Sequence, residues 1–145
     1  MDIDALRKQF VDHEFESKTF NVSAEEIVTF SKACGEEAPR FTDPAHPDFQ
    51  APPTFTSTLM RGAQMPPDFP KLEGLSMNAG KAMMLHHPVR PGTLVGRSHL
   101  HDIYAKTGRS GRMTFIVQRM EFFDPDGTLV ATSDSRQVIR EKPTT

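Results

Sequence analysis

Cysteine is nearly absent from this sequence of 145 residues, which contains a single one, Cys34. One cysteine excludes an internal disulfide framework and any zinc site built from several thiolates. Such sparing use is typical of proteins in a reducing compartment, so we expect the chain in the cytoplasm. Long apolar runs are missing too, because no uncharged stretch approaches the ~20 residues that a membrane-spanning helix needs.

An excess of one charge is also lacking. The formal net charge is −2 at pH 7 and the pI is near 6.3, which gives no electrostatic reason to expect binding to nucleic acid or to an anionic membrane. The first ten residues contain four charges and no apolar core, so they do not predict a secretory signal. The length predicts one domain over 1–145, with an N-terminal extension over about 1–12 and a tail over 141–145.

Proline, in contrast, is abundant, and eight of the 12 prolines fall between positions 39 and 70. Because proline fixes φ and removes a backbone donor, this zone cannot be continuous helix or the interior of a strand. It permits one helix, over 54–63, which follows two prolines and has Thr54 as its cap. The apolar residues that this helix would bury are Phe55, Leu59 and Met60.

The remaining segments predict one further helix and five strands. Alternating polar and apolar residues indicate a strand over 14–22. Ser23 and Glu26 then form a capping box that begins a helix, and Gly35 is a suitable residue to end it. The later strands are 81–87, 93–104, 112–123 and 129–139, and the connections between the last three are 108–111 and 124–127. A helix pair followed by an antiparallel meander predicts an α+β fold.

Three segments resemble the MaoC-like hydratase/dehydratase family, and more closely its amino-terminal, FAS1-type dehydratase half. They are 23–35, 51–55 and 86–92, and the most particular match is the run 102–115. The resemblance covers about residues 10–141. It implies a hot-dog fold, in which a bent antiparallel sheet is wrapped around a central helix. It also implies an acyl-CoA or acyl-carrier-protein thioester as ligand, a place in fatty acid metabolism, and a dimer.

Active members of that family carry a Gly-Asp-x-Asn-Pro-x-His loop, whose Asp and His divide the acid and base work of hydrating an enoyl thioester. The corresponding residues here are 35–41. Glu36 stands at the Asp position, Ala38 at the Asn position and Phe41 at the His position. Phenylalanine can neither donate nor accept a proton, so we expect no catalytic residue in this chain. Glu36 and His46 are weak candidates for a displaced base and acid, although a surface carboxylate and a solvated loop histidine are the favoured interpretations.

Two groups of residues are candidates for substrate binding. The first heads the predicted central helix, where backbone amides suit a thioester carbonyl, and consists of Pro53, Thr54 and Phe55. The second is Arg109 and Arg112 in a flexible hairpin, because guanidinium groups bind the phosphates of CoA through paired hydrogen bonds. The alternative for these arginines is a solvated face of the sheet.

Histidine pairs at 86–87 and 99–101 raise the question of a metal site. Neither pair has a carboxylate or thiol at a familiar ligand spacing, and adjacent strand residues such as His86 and His87 point to opposite faces. We therefore interpret all four as ordinary strand histidines, and expect neither a metal nor a cofactor.

Together these inferences predict a degenerate, non-catalytic subunit of a heteromeric enoyl-CoA hydratase or 3-hydroxyacyl thioester dehydratase. It would shape the acyl-chain pocket of a catalytic MaoC-like partner. Two alternatives stay open, namely a self-sufficient homo-oligomeric hydratase with a displaced acid and base, and an acyl-CoA-binding module without turnover.

Overall fold

The computed structural model describes residues 2–142. Five antiparallel strands form one sheet in the order β1-β3-β4-β5-β2. The strands are β1 (Glu14–Val22), β2 (Leu75–Leu85), β3 (Gly92–Gly108), β4 (Gly111–Phe123) and β5 (Leu129–Arg140). The helices are α1 (Ile3–Phe10), α2 (Ala24–Ala33), the short α3 (Pro39–Thr42) and a 3-10 helix (Phe55–Leu59). Across residues 2–142, every helix is too short or too polar to cross a membrane.

The last three strands form a meander, while β2 lies at the far edge of the sheet beside β5. The prediction of a meander of four strands is therefore wrong. A strand has only two edges, and β3 already has β1 on one and β4 on the other, so β2 cannot pair with β3. From Val22 opposite Gly92 to Glu14 opposite His99, β1 pairs along one edge of β3, and β4 pairs along the other.

One face of the sheet, here called the inner face, carries the core. Along β4 the residues Ile116, Met120 and Phe122 are all buried on this face. A first group of side chains joins α2 and the 3-10 helix to the sheet, and includes Val22, Ile27, Phe49, Phe55, Leu59, Leu94, Met120 and Phe122. A second group joins α1 and the 65–72 segment to the sheet, and includes Leu6, Phe10, Met65, Phe69, Leu100, Ile103, Ile116 and Ile139.

The predicted helix over 54–63 is a 3-10 helix of five residues. Thr54 forms no side-chain cap. Instead its carbonyl accepts hydrogen bonds from the backbone N–H and the hydroxyl of Ser57, and the Thr58 hydroxyl donates to the Phe55 carbonyl at 2.8 Å. Hydroxyls bonded three residues back favour the tighter helix. The predicted burial of Phe55 and Leu59 is confirmed, since each is 2% exposed, and Met60 packs half-buried against the same group.

The predicted N-terminal extension contains α1, which is docked on the sheet. The Asp2 carboxylate caps it by accepting the Ala5 N–H, and its buried face of Leu6 and Phe10 packs on β3 and β4. Beyond β5, Glu141 and Lys142 are outside any strand, and residues 143–145 of the predicted tail lie outside the described residues.

Candidate functional site

The loop that resembles the catalytic loop of the family begins at the end of α2. The Ser23 hydroxyl accepts the Glu26 N–H at 3.1 Å, which confirms the predicted cap. At the other end Gly35 has φ +76°, and its N–H donates to the Lys32 carbonyl while the Glu36 N–H donates to the Ser31 carbonyl. These two hydrogen bonds define a Schellman motif, in which glycine adopts the left-handed conformation at no steric cost.

The loop then turns into α3, which contains the position predicted to correspond to the family's histidine. Pro39 begins α3, and the Phe41 N–H donates to the Ala38 carbonyl at 2.9 Å. The Phe41 side chain is 7% exposed, and the Arg40 guanidinium lies over its ring at 4.7 Å from the centroid. Glu36 and Ala38 are half-buried. The turn thus contains a buried apolar ring, and its acidic side chains are the half-buried Glu36 and the exposed Glu37.

His46, the weak candidate for a displaced acid, belongs to the turn that follows α3. Its ring Nδ1 accepts the backbone N–H of Asp48 at 3.0 Å, and its backbone N–H donates to the Asp43 carbonyl. With Nδ1 occupied as an acceptor, a neutral imidazole carries its proton on Nε2. Within residues 2–142, no hydrogen bond or ion pair joins His46 to Glu36, so the structure does not couple the two weak catalytic candidates.

Arg90 holds this turn against the start of β3. Its guanidinium donates to the Asp48 carboxylate at 2.8 Å and to the Phe49 carbonyl at 2.9 Å. The hydrogen bond from Arg90 lowers the pKa of the Asp48 carboxyl below its ordinary value. The Ala51 N–H adds a bond to the Val89 carbonyl at 2.8 Å. The loop therefore has a fixed position even though the ion pair is exposed.

The two groups of predicted substrate-binding residues lie far apart in one chain. Pro53 and Thr54 are exposed at the head of the 3-10 helix, whereas Phe55 is buried and its N–H already donates to the Pro52 carbonyl. The Thr56 hydroxyl bonds Ser133 of β5 at 2.8 Å, which fixes the position of this helix on the sheet.

The arginines lie at the β3–β4 hairpin, beside the opposite end of β5. Arg109 is exposed at the tip, and the Arg112 guanidinium lies 3.9 Å from the Glu141 carboxylate. Arg140 is the last residue of β5 and lies next to this hairpin, since it pairs with Met113 of β4. Seven residues of strand separate it from Ser133, which is about 23 Å. The structure thus does not bring the two groups into one pocket within the chain.

A polar cavity of about 310 Å³ opens on the inner face, directly after the 3-10 helix. Its lining residues come from that connection and from β2, β4 and β5, and include Met60, Gln64, Asn78, Lys81, Gln118, Ser135 and Gln137. Gln118 is 7% exposed and donates to the Ala63 carbonyl at 3.3 Å, and the Gln137 amide bonds the Ser76 hydroxyl. The cavity separates the two apolar groups of the core.

Sequence reasoning missed these cavity residues, although one signal was available. In a strand alternate side chains share a face, so Gln118 lies on the same face as Ile116 and Met120. A polar residue within an apolar stripe is the informative exception, because burying it requires hydrogen-bond partners.

Of the two histidine pairs interpreted as strand residues, only one lies in a strand. His86 and His87 lie beyond the end of β2, in a bend where both backbone N–H groups donate to the Val130 carbonyl. For them the interpretation is wrong, because the pairing of β2 with β5 ends at Leu85 opposite Ala131, two residues before the predicted end of the strand. His99 and His101 do belong to β3.

Comparison with known proteins defines the family. The model of the FAS1-like dehydratase domain region matches residues 9–133 of the chain. The chain belongs to this family. No curated protein sequence matches it.

Solved structures show the fold of this FAS1-like dehydratase domain. A MaoC-like dehydratase from Phytophthora capsici superposes with a TM-score of 0.74 at 18% identity, over 100% of this chain and 52% of that one. The ChsH1-ChsH2 complex from Mycobacterium tuberculosis gives 0.71 at 19% identity, over 99% and 93%. The HadBC (3R-hydroxyacyl-ACP dehydratase) complex of the same organism gives 0.62 at 20% identity, over 83% and 90%. The chain thus spans about half of the Phytophthora chain. The predicted hot-dog fold is confirmed.

Proposed function

We propose that this FAS1-like dehydratase domain is the non-catalytic subunit of an enoyl-thioester hydratase or dehydratase, and that a hot-dog partner supplies the acid and the base. The observation that carries the proposal is the buried Phe41 ring at the position of the family's histidine, with Ala38 at the position of its asparagine. Hydration of an enoyl thioester needs one group to take a proton from water and one to protonate the α-carbon.

The remaining polar groups do not replace the missing pair. Glu36 is half-buried and its neighbour Glu37 is exposed, and one carboxylate cannot be both acid and base in a concerted addition. His46 is engaged at Nδ1 by the Asp48 N–H, in a turn that Arg90 fixes. These contacts favour a structural role for the 43–51 turn.

The outer edge of β2 supports the proposal of a partner. Within residues 2–142 this strand pairs only with β5, so its other edge presents unpaired backbone groups. Three large apolar residues of β2 are exposed, namely Leu75 at 51%, Met77 at 39% and Met84 at 62%. An unpaired edge with exposed apolar side chains is a template for strand pairing with another chain.

The apolar surface continues from β2 across the outer face of the sheet. Met77 is opposite Val138, which is opposite Phe115, and the Phe115 ring stacks on Tyr104 at 4.9 Å. Two of the similar structures are heteromeric, the ChsH1-ChsH2 and HadBC complexes. We therefore place a second hot-dog chain at the β2 edge.

The inner cavity supports a role in holding the acyl group. It lies where a longer central helix would run, because the 3-10 helix ends at Leu59 and the cavity begins at Met60. An alkyl chain placed against Gln118 and Gln137 would leave polar groups without partners. The acyl group that fits is therefore bulky and carries a polar substituent. Arg109 and Arg112 remain the proposed contacts for the phosphates of CoA, at a separate point of an extended ligand.

We also propose that the protein works in the cytoplasm. Cys34 is a free and exposed thiol. An exposed thiol persists in reduced form in a reducing compartment and oxidises outside it.

Reconstitution with a catalytic chain tests the proposal. The partner used in the test is a MaoC-like chain with an intact Asp-x-Asn-Pro-x-His loop, co-expressed and co-purified with this one. Hydration of trans-2-enoyl-CoA, followed by loss of the enoyl absorbance, is expected from the complex. It should disappear when the partner's loop His is changed to Ala, and persist with Glu36→Gln and His46→Ala in this chain. Loss of activity in those two variants would contradict the proposal, and saturable binding without turnover in any complex would favour the binding module.

A further inference from the structure

We propose that Asp12, His99 and His101 form a binding site for a divalent transition-metal ion of the zinc class, on the outer face of the sheet. One ligand atom from each of these residues lies within 4.8 Å of the other two. This site is separate from the 35–51 loop and from the inner cavity, and it does not rest on the proposed function.

The donor set fits such an ion. Imidazole nitrogen and carboxylate oxygen both bind Zn²⁺ with bonds of about 2.0–2.2 Å, and two histidines with one carboxylate are a common set of three protein ligands. Nε2 of His99 is 4.0 Å from the Asp12 carboxylate. Two ligands of one tetrahedral ion lie about 3.3 Å apart at such bond lengths. Small rotations of the exposed Asp12 and His101 side chains close the remaining gap.

Two irregularities of the backbone bring the ligands together. The pairing of β3 with β4 shifts between Leu100 and Asp102, so His101 is the extra residue of a β-bulge. Bulges turn a side chain away from the regular alternation and occur beside functional sites. Asp12 has φ +64°, the one positive value among the non-glycine residues described, and its N–H donates to the Leu100 carbonyl at 2.9 Å. That hydrogen bond fastens Asp12 to the bulge.

A second carboxylate lies near the other ring nitrogen of His99. Nδ1 of His99 lies 3.6 Å from the Glu121 carboxylate, on the opposite side of the ring from Asp12. A metal-bound histidine typically donates its other N–H to a carboxylate, which fixes the tautomer and raises the basicity of the ligating nitrogen. The His99 side chain is only 17% exposed, so its orientation is held by packing.

The surrounding charges favour a cation. Glu14 pairs opposite His99 and, with Asp12 and Glu121, places three carboxylates around the two imidazoles. Two arginines are adjacent, but Arg119 is bound to Asp134 through two hydrogen bonds of 2.7 and 2.9 Å. The Arg97 guanidinium lies over the Phe123 ring at 5.1 Å.

The site has room for a fourth ligand. A cavity of about 320 Å³ lies beside it, lined by Asp12, Glu14, Arg97, His99, Glu121 and Phe123. Three protein ligands leave one position of a tetrahedral ion for water or an external group. A bound ion would also join the segment after α1 to β3, and so stabilise the docked helix. The sequence shows only which carboxylates are close to the histidines in residue number, whereas the fold brings Asp12 next to them in space.

Calorimetric titration of the chelator-treated full chain with ZnCl2 tests the site, with the visible absorption of bound Co²⁺ as a second readout. We expect one equivalent to bind, with a rise in melting temperature. Asp12→Asn keeps a residue that tolerates the left-handed conformation and removes the charge, and His101→Gln alters an exposed side chain. Each should weaken binding more than about tenfold, and Glu121→Ala about tenfold. His87→Gln, an exposed histidine elsewhere, is the matched control and should bind like wild type.

Three results would overturn the proposal. They are no saturable binding of Zn²⁺ or Co²⁺ to the wild-type chain, binding that Asp12→Asn and His101→Gln leave unchanged, and binding that His87→Gln weakens to the same extent. Circular dichroism of each variant without metal distinguishes a lost ligand from a lost fold.

Discussion

The two edge strands of the sheet differ in what they present to the outside. Along β1 the exposed residues are polar or charged, among them Ser17, Lys18 and Thr19, while β2 exposes Leu75, Met77 and Met84. Natural sheets protect a free edge with charged side chains, and β1 has this protection. On β2 the single charged residue is Lys81, and it lines the inner cavity. Under the proposed function, this difference is the reason for placing a second chain at β2 rather than at β1.

The largest effect is expected from a substitution on β2. Met84→Asp places a charge at the most exposed apolar residue of β2, near the end of the strand, and a buried unpaired charge costs several kcal/mol. We expect complete loss of the complex, measured as mass by light scattering, and loss of its hydratase activity. Thr19→Asp on β1 is the matched control and should leave both unchanged. An intact complex with Met84→Asp would place the interface elsewhere.

A smaller effect is expected for the ion pair that joins β4 to β5. Arg119 binds Asp134, whose side chain is 10% exposed, and this carboxylate raises the pKa of the guanidinium. Arg119→Ala would leave Asp134 buried and unpaired, which costs about 3 kcal/mol. Urea unfolding measures the loss in free energy of unfolding. The exposed pair of Arg90 and Asp48 is the counterpart on the surface, and Arg90→Ala should cost much less. Equal losses in the two variants would show that burial does not distinguish the pairs.

The inner cavity allows a test of specificity rather than assembly. Ser135→Leu fills part of the space beside Gln118 and Gln137. In the complex with the catalytic partner we expect kcat/KM for a bulky acyl-CoA to fall about tenfold, and that for a short enoyl-CoA to stay close to wild type. Ser17→Leu on the exposed face of β1 is the control. A uniform fall for both substrates would contradict the placement of the acyl group in this cavity.

The smallest effect concerns acid stability. The hydrogen bond from Arg90 lowers the pKa of Asp48, so the stabilisation is complete above the unfolded-state pKa of about 3.9. It is lost as the pH falls through the folded-state value. We expect Asp48→Asn to be less stable than wild type at pH 7, with a difference that shrinks below about pH 4. Urea unfolding at pH 7 and at pH 3 measures this difference in stability. A difference as large at pH 3 as at pH 7 would refute the linkage.

The sequence predicts local structure better than arrangement. Ser23, Gly35 and the pair Phe55 and Leu59 are placed correctly, because caps, turns and apolar stripes depend on neighbours in the chain. The position of β2 beside β5 depends on which strand edges are free, and that is a property of the whole sheet. The 3-10 helix depends on hydroxyl bonds of a few residues, which prolines and apolar spacing do not specify.

The same distinction holds for the sites. The proposal that Phe41 stands in place of the family's histidine follows from the sequence, because it needs only one loop. The polar cavity around Gln118 and the Asp12 cluster combine residues from separate strands and connections. Their formation requires the register of β3, β4 and β5, so the sequence alone could not predict them.

The most direct test of the central claim is hydration of a short and a bulky trans-2-enoyl-CoA by the purified chain alone. The account predicts no turnover, because no second proton-transfer group replaces the histidine at Phe41. Turnover that disappears in Glu36→Gln or His46→Ala would contradict it and would show a self-sufficient hydratase.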